Sequence, residues 1–204
     1  MLRPALLTLL VACGPRAAEG PPPERAEPHG YPTTLVPPSR IEGDFLVEQE
    51  VSMTHPRGEN TFRAVLQKQG ARLILLGLAP HGGRAFLLEQ TDDGVRFESY
   101  MPFELPFPPE YMLHDIHRAW FMEAPEGVVE RDGERLEERR EGGRVVERTY
   151  RRLDGRPPGT ITVRYEGGLA PGAPRTAAPP ARIVLNNGWF GYRATIRTLR
   201  WQPL

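Results

Sequence analysis

The residues of this chain whose types and spacing could support chemistry lie together at His114, Asp115 and His117. Two histidines at this spacing on a helix could share a face and, with a third ligand, bind a metal ion. However, the HExxH pattern of zinc-dependent proteases is absent, and an apolar stripe occupies the neighbouring face of the predicted helix. These side chains are therefore interpreted as polar helix surface, and no metal site is predicted.

No other stretch of the sequence matches a catalytic motif. The GxSxG nucleophile elbow is absent, and residues 77–83 are glycine-rich without matching a P-loop or a GxGxxG pattern. Those glycines lie between two predicted strands and are interpreted as a turn. The protein is therefore predicted not to be an enzyme and to have no catalytic residues. A hydrolase of lipid-linked substrates that uses His114, Asp115 or His117 is the weakest alternative.

The single cysteine, Cys13, follows the positively charged Arg3 and a short apolar run at residues 5–12. This order of a charged start, an apolar middle and small residues is typical of a secretory signal peptide. The run is too short to span a membrane, which takes about 20 apolar residues. The sequence LVAC at residues 10–13 resembles the bacterial lipobox. That resemblance implies cleavage before Cys13 and acylation of the cysteine, so we predict a lipid anchor there.

Charge and cysteine content exclude several classes of function. Lys and Arg total 26, as do Asp and Glu, so the formal net charge is zero. Nucleic-acid-binding proteins usually carry a basic excess. With Cys13 acylated, no cysteine remains for a disulfide, an iron–sulfur cluster or a thiolate zinc site. The sequence therefore predicts no cofactor and no nucleic-acid partner.

The composition divides the chain into three segments. Residues 1–12 are the predicted lipoprotein signal peptide, and residues 13–40 carry the lipidated cysteine and a Pro-rich linker. Eight prolines lie between residues 14 and 38, and such a segment buries too little apolar surface to offset its ordering entropy. Residues 41–204 are predicted to form a β-barrel-like domain.

Apolar residues of this domain recur with period two, which indicates strands. Phe45, Val47, Val51 and Met53, for example, share one face. Asp-Gly and Gly-Gly pairs separate the runs, and these are strong hairpin signals because glycine accepts positive φ. Many short strands with such turns predict a mainly β, antiparallel fold. The charged stretch at residues 127–152 is interpreted as one or two solvent-facing hairpins.

One segment has helical periodicity. Two prolines followed by Glu110 suit a helix N-terminus. Met112, Ile116 and Trp120 then form one apolar stripe. We predict that this helix lays its stripe on the sheet or plugs the mouth of a barrel.

The order of these elements resembles the lipoprotein-localisation carriers of Gram-negative bacteria (LolA/LolB). It also resembles an uncharacterised family of small bacterial lipoproteins with that fold. The stretches that carry the resemblance are FRAVLQ, GARLILLGLAPHGGRAFLLE, PPEYMLHDIH and TIRTLRW. It implies an antiparallel half-open β-barrel with one or a few short helices on its concave side and an apolar cavity for acyl chains. In the receptor member a loop presents an exposed leucine to the cargo, and Leu78 is the matching candidate here.

We therefore predict a membrane-anchored periplasmic lipoprotein that binds acyl chains or lipidated cargo in lipid trafficking or envelope biogenesis. The alternative is a structural or interaction lipoprotein with a filled core that docks an envelope partner protein. Gly14 rather than aspartate follows Cys13, which favours the outer membrane, with the domain facing the periplasm. The predicted cavity residues are Phe45, Val47, Phe62, Leu66, Leu73, Leu75, Phe86, Phe97, Met112, Ile116 and Trp120.

Overall fold

The computed structural model describes residues 34–56, 58–101 and 108–204. The predicted signal peptide, Cys13 and most of the predicted linker lie outside these residues. The described part forms one antiparallel sheet of eleven strands with one α-helix and a short 3-10 helix. The elements are the 3-10 helix Pro38–Arg40, β1 Phe45–His55, β2 Gly58–Gln69, β3 Arg72–Leu78, β4 Arg84–Thr91, β5 Gly94–Ser99, α1 Glu110–Trp120, β6 Val128–Arg131, β7 Glu134–Glu141, β8 Arg144–Arg152, β9 Ile161–Leu169, β10 Arg182–Asn187 and β11 Tyr192–Pro203.

The sheet consists of two meanders, β1–β5 and β6–β11, and it is not closed. Its strands pair in the order β5-β4-β3-β2-β1-β11-β10-β9-β8-β7-β6. The two halves of the chain therefore meet where β1 pairs with β11, and β5 and β6 are the edge strands. The helix α1 lies in the connection between these edges. The predicted fold class, a mainly β, half-open antiparallel sheet with a short helix, is confirmed.

Alternation along the strands gives the sheet an inner face that packs against α1 and an outer face. In β1, Phe45 and Val47 are buried on the inner face, whereas Glu48 and Glu50 are half-buried on the outer face. Two of the predicted pairs, Asp132-Gly133 and Gly142-Gly143, form two-residue hairpin turns, whereas Gly94 begins β5 and Asp154-Gly155 lies in the longer β8–β9 connection. Asp132 and Gly133 both have positive φ, 53° and 76°, as the two central residues of a type I′ turn require.

The helix α1 begins at Glu110, as predicted, and ends at Trp120, one residue before the predicted end at Phe121. Its most buried apolar residues are Leu113, Ala119 and Trp120, whereas Met112 and Ile116 are only half-buried. The predicted stripe is therefore rotated relative to the face that α1 buries. Trp120 belongs to both, and Met112 and Ile116 lie at the margin of the packed surface.

Residues 34–40, which we call the N-terminal strap, pack on the folded domain. The backbone N–H of Ser39 donates to Asp92 Oδ1 (3.1 Å) in the β4–β5 turn. The N–H of Thr34 donates to Asp132 Oδ2 (3.2 Å) in the β6–β7 turn. The strap thus connects the two hairpins that contain the edge strands. These seven residues, predicted as the end of the linker, are attached to the barrel.

Candidate functional site

The eleven predicted cavity residues lie in or against one apolar cluster on the inner face. The buried members are Phe45, Val47, Leu66, Leu73, Leu75, Phe86 and Trp120. The half-buried members are Phe62, Phe97, Met112 and Ile116. The structure therefore brings the whole set together, while their role in ligand binding stays a prediction.

Three phenylalanines form an aromatic group on β2, β4 and β5. The ring of Phe86 is 6.0 Å from that of Phe62 in an edge-on arrangement and 6.2 Å from that of Phe97. The ring of Phe86 also covers Gly77, where a Cβ atom would lie 2.2 Å from Phe86 Cε1. Gly77 is therefore required for this position of Phe86, because any side chain would displace the ring.

Several apolar residues that pack against the inner-face core are only half-buried. Phe62, Val51 and Ile196 are direct cross-strand neighbours on β2, β1 and β11. They pack against the core without being buried, as do Met112 and Ile116 on α1. We call these five residues the apolar rim. A rim of this kind is where an apolar ligand can first contact the inner face.

Leu78, the predicted cargo-contacting leucine, is the last residue of β3 and is half-buried. It lies opposite Arg63 on β2 and Arg84 on β4. The turn that follows is held by two backbone hydrogen bonds between Ala79 and residues 82 and 83, each of 2.8 Å. Contact of Leu78 with cargo stays a prediction.

The half of the inner face formed by β7–β10 has buried charged residues among its apolar ones, and we call it the polar half; the half formed by β1–β5 is the apolar half. Arg118 of α1 contacts the charged residues of the polar half. Its side chain is 0% exposed, and Nη2 donates to Glu134 Oε1 at 2.5 Å. Asp115 is a second anionic neighbour, 3.7 Å from Nη1. The guanidinium also lies over the rings of Trp189 (5.3 Å) and Tyr150 (5.6 Å). This combination of ion pairs and cation–π contacts holds a fully buried charge beneath the sheet.

Arg148 on β8 is the second buried cation, and it binds the end of α1. Its Nη1 donates to the carbonyl oxygens of Arg118 and Ala119, both at 3.1 Å. Its Nε donates to Glu138 Oε1 at 2.9 Å. Burial opposes the charge, but interactions with two tyrosines and Glu138 outweigh it and raise the pKa of Arg148 above its usual value. A cation at the carbonyl end of a helix is also favourably placed in the helix dipole.

Two tyrosine hydroxyls complete the cap on the same helix end. Tyr150 donates to the carbonyl of Arg118 (2.7 Å) and Tyr165 to that of Ala119 (2.8 Å). Burial raises the pKa of Tyr165 to about 12 and that of Tyr150 further still, so both hydroxyls stay protonated as donors. The last turn of α1 is therefore fixed to the polar half of the sheet by side chains from two strands.

A third set of contacts fixes the middle of α1. The hydroxyl of Tyr192 donates to Asp115 Oδ2, and Asn187 Nδ2 donates to the same hydroxyl at 3.0 Å. Asn187 Oδ1 in turn accepts from the backbone N–H groups of Trp189 and Phe190, both at 3.1 Å. Asp115, one of the three residues considered for chemistry, is thus part of the connection between α1 and the β10–β11 turn.

The interpretation of His117 as polar helix surface is wrong, because this side chain is 0% exposed. Its Nδ1 accepts from the N–H of Val36 in the N-terminal strap (3.2 Å), so the proton resides on Nε2, 2.8 Å from Gln90 Oε1. Gln90 Nε2 donates to the carbonyl of Val36 at 3.0 Å. Burial, with His114 and Arg118 nearby, lowers the pKa of His117 to about 3. The histidine therefore fixes the strap as a neutral group.

The comparison with protein families decides how the chain is classified. The model of a family described as protein of unknown function (DUF3261) matches residues 46–200. The chain belongs to the DUF3261 family. No match is found among curated proteins. The predicted membership of an uncharacterised family is thereby confirmed, and the half-open sheet with one helix that the resemblance implied is the fold observed for this DUF3261 protein.

Solved structures that match this DUF3261 protein share little sequence with it. One is a LolA superfamily protein from Nitrosomonas europaea, with a TM-score of 0.48, 16% identity and coverage of 80% of this chain and 89% of that chain. Another is a putative outer membrane lipoprotein-sorting protein domain from Vibrio parahaemolyticus (TM-score 0.45, 10% identity, 81% and 87% coverage). A DUF1329 family protein from Desulfovibrio piger has a TM-score of 0.35 and 9% identity, with 81% and 87% coverage.

The chemistry available to this DUF3261 protein follows from how its charged groups are paired. Arg118 and Arg148 each contact a buried carboxylate, so these groups stabilise one another inside the fold. Among residues 34–56, 58–101 and 108–204, no three His, Cys, Asp or Glu side chains converge to hold a metal ion. No helix in the same ranges combines the length and apolar composition needed to span a membrane. The inner face offers apolar contacts and buried hydrogen-bonding groups.

The protonation of His117 gives a first prediction, for stability as a function of pH. The unfolded histidine titrates near pH 6.5, whereas the folded one stays neutral down to about pH 3. The contribution of His117 is therefore complete above pH 6.5 and decreases as the pH falls toward 3. At pH 5 the wild-type protein should lose roughly 2 kcal/mol of unfolding free energy through this group. Burial also lowers the pKa of His114, to about 4, so the wild-type loss contains both histidines. Urea denaturation at pH 7 and pH 5 measures the part due to His117 as the difference between the wild type and a variant without it.

The variant His117→Gln keeps an amide donor toward Gln90 and removes the titrating group. Its unfolding free energy should therefore depend less on pH than that of the wild type over the same interval. The control is His55→Gln, at the end of β1, where the wild-type pH dependence should be retained. Identical pH dependence in the wild type and His117→Gln would contradict the assignment.

Proposed function

We propose that this DUF3261 protein is a membrane-anchored periplasmic lipoprotein that binds acyl chains or lipidated cargo on the inner face of its half-barrel. Its role would be in lipid or lipoprotein trafficking or envelope biogenesis. The observation that carries this proposal is the apolar rim. Five apolar side chains on the inner face are left half-buried although an aliphatic and aromatic core lies next to them. An acyl chain would bury them further.

The polar half of the inner face supports the same proposal. Ion pairs and helix-capping hydrogen bonds concentrate at the last turn of α1. They position α1 by directional contacts, so its rim residues Met112 and Ile116 need not be buried to hold the helix. A ligand can then use that surface.

The proposed anchor is Cys13, which lies outside the described residues. Acylation there would place the domain at a membrane surface, and Gly14 favours the outer membrane, facing the periplasm. We propose a non-enzymatic role, because two of the three residues first considered for chemistry are committed to structure. Asp115 binds Tyr192, and His117 binds the strap and Gln90.

A second candidate function is an interaction lipoprotein whose barrel is filled by its own side chains. The observation in its favour is that Phe45, Val47, Leu66 and Leu73 are 0% exposed. In this case the outer surface would dock an envelope protein and no lipid would bind. Capture of a stoichiometric protein partner without lipid would support it.

The acyl-binding proposal is tested by titration with a dansyl-labelled fatty acid. The full chain with Cys13→Ser, purified without detergent, should bind the probe saturably. Phe62→Asp should weaken binding by tenfold or more, because it places a charge within the apolar rim. The matched control is Leu153→Asp in the β8–β9 turn, where the leucine is 54% exposed. Equal binding by the wild type and both variants would contradict the proposed site.

A further inference from the structure

One buried amide on the inner face of the apolar half has a donor that no described residue satisfies. Gln49 on β1 is only 5% exposed, and no hydrogen-bond acceptor within the described ranges contacts its Nε2. Buried polar groups in proteins nearly always have a partner. An unsatisfied donor at this position therefore calls for an explanation.

The position of Gln49 relates it to the proposed ligand site. On the inner face it alternates with Val47 and Val51. Val51 and Phe62 of the apolar rim pair with each other across β1 and β2, and Gln49 pairs with Ala64. The pair of Gln49 and Ala64 is therefore the next one on the same face of the two strands. The pairing register of β1 with β11 also shifts between Glu48 and Gln49. A register shift of this kind marks a β-bulge, which changes the direction of side chains and is common beside functional sites.

The cross-strand row that begins at Gln49 includes two small residues. Gln49 pairs with Ala64, Ala64 with Gly77, and Gly77 with Phe86. The two middle residues have little or no side chain, and the ring of Phe86 lies over Gly77. Three strand spacings of about 4.8 Å make the row roughly 14 Å long. If Phe86 turned aside, an extended hydrocarbon would fit over Ala64 and Gly77.

We propose that Gln49 is a specificity-determining residue for ester- or amide-linked acyl chains. Its Nε2 donates to the carbonyl oxygen of the acyl group, and the hydrocarbon lies along Ala64 and Gly77 in place of the Phe86 ring. This inference rests on the proposed acyl-binding function and names the ligand class that the site selects. A hydrocarbon without a carbonyl would leave the amide unsatisfied, whereas an acyl carbonyl provides the acceptor it lacks.

The experiment compares two lipids that differ only in their two ester carbonyls. Diacyl phosphatidylglycerol and its dialkyl ether analogue, with equal chain lengths, each compete with the dansyl-labelled fatty acid for the full chain with Cys13→Ser. We expect the ester lipid to bind about tenfold more tightly than the ether lipid, as one hydrogen bond to a buried donor provides. In Gln49→Met the two affinities should become equal, with that of the ether lipid unchanged.

Two further measurements separate this role from a structural one. Gln67→Met on the outer face is the matched control and should keep the tenfold preference. Gln49→Met should be at least as stable as the wild type in urea, because the lost donor has no protein partner in the described chain. A strongly destabilised Gln49→Met variant would overturn the inference by showing a structural role for the amide.

The remaining outcomes distinguish this inference from the proposed function. Equal affinity of the wild type for the ester and ether lipids would overturn the role of Gln49 while acyl binding stands. A tenfold preference that persists in Gln49→Met would do the same. Failure of both lipids and of the probe to bind would overturn the proposed function and this inference with it.

Discussion

Replacement of Arg118 by Met is expected to lower the free energy of unfolding by about 3–5 kcal/mol. Arg118 is 0% exposed and its partner Glu134 is 5% exposed, so removing the cation leaves a carboxylate buried without its closest partner. The contacts of the guanidinium with Trp189 and Tyr150 are lost as well. Urea denaturation measures the effect without adding ionic strength, and the melting temperature should fall by roughly 10 °C.

A matched arginine shows whether burial is the cause. Arg164 contacts Glu147 at the same 2.5 Å, but its side chain is 69% exposed. Arg164→Met should therefore cost less than about 1 kcal/mol. In the Arg118→Met background, Glu134→Gln should restore part of the lost stability because it neutralises the orphaned carboxylate. Equal costs for Arg118→Met and Arg164→Met would show that the buried pair does not stabilise the fold.

The second large effect is expected at Cys13, the only cysteine of the chain. Cys13→Ala should abolish incorporation of radiolabelled palmitate and move the protein from the membrane fraction to the soluble fraction. Several acyl chains at one residue hold a protein stably at a membrane, since each buried methylene contributes about 0.8 kcal/mol. The adjacent variant Gly14→Ala should keep the label. Label retained in Cys13→Ala would refute the predicted lipid anchor.

The two halves of the inner face have different roles. The polar half fixes the end of α1 through Arg148, Tyr150 and Tyr165. The N-terminal strap attaches to the same helix through His117. The apolar half contains the half-buried rim residues Val51 and Phe62 and the unsatisfied amide of Gln49. Polar contacts thus fix α1 to the sheet and to the N-terminal strap, so apolar surface stays available for a ligand.

Local patterns predicted the strands and the helix, whereas the half-open arrangement was implied by the resemblance to the LolA/LolB carriers. Period-two alternation marks the strands because neighbouring residues face opposite sides of a sheet. The two prolines before Glu110 mark the start of α1 because they suit a first helical turn. The helix face was predicted less well. Leu113 and His117 are buried and Met112 and Ile116 are not, because polar tertiary contacts determine how α1 is rotated.

The buried ion pairs were not predicted, because arginine and glutamate side chains are usually exposed. Residues 127–152 do form strands, but the prediction that they face solvent is wrong for Glu134, Glu138 and Arg148. The signal available was alternation with apolar neighbours. Glu134 and Glu138 share the face of Leu136, and Arg148 shares that of Tyr150. Their pairing with the helix depends on contacts between distant segments that no local pattern encodes.

The candidate site was predicted in part for the same reason. Alternation correctly grouped Phe45, Val47, Val51 and Met53 on one face, and Gln49 is the polar residue that interrupts this series. Its significance comes from burial without a partner, which a sequence does not show. The strap was likewise included in the linker because its contacts with His117 and Gln90 join residues far apart in the chain.

Native mass spectrometry of the full chain with Cys13→Ser, exported and purified without detergent, tests the central claim most directly. The account predicts added mass that matches a phospholipid, a fatty acid or an acylated peptide, and fragmentation would identify the cargo. That mass should decrease in Phe62→Asp and be retained in Leu153→Asp. A wild-type protein that carries no lipid, and that takes up none when incubated with phospholipid vesicles, would contradict acyl binding and favour the interaction lipoprotein.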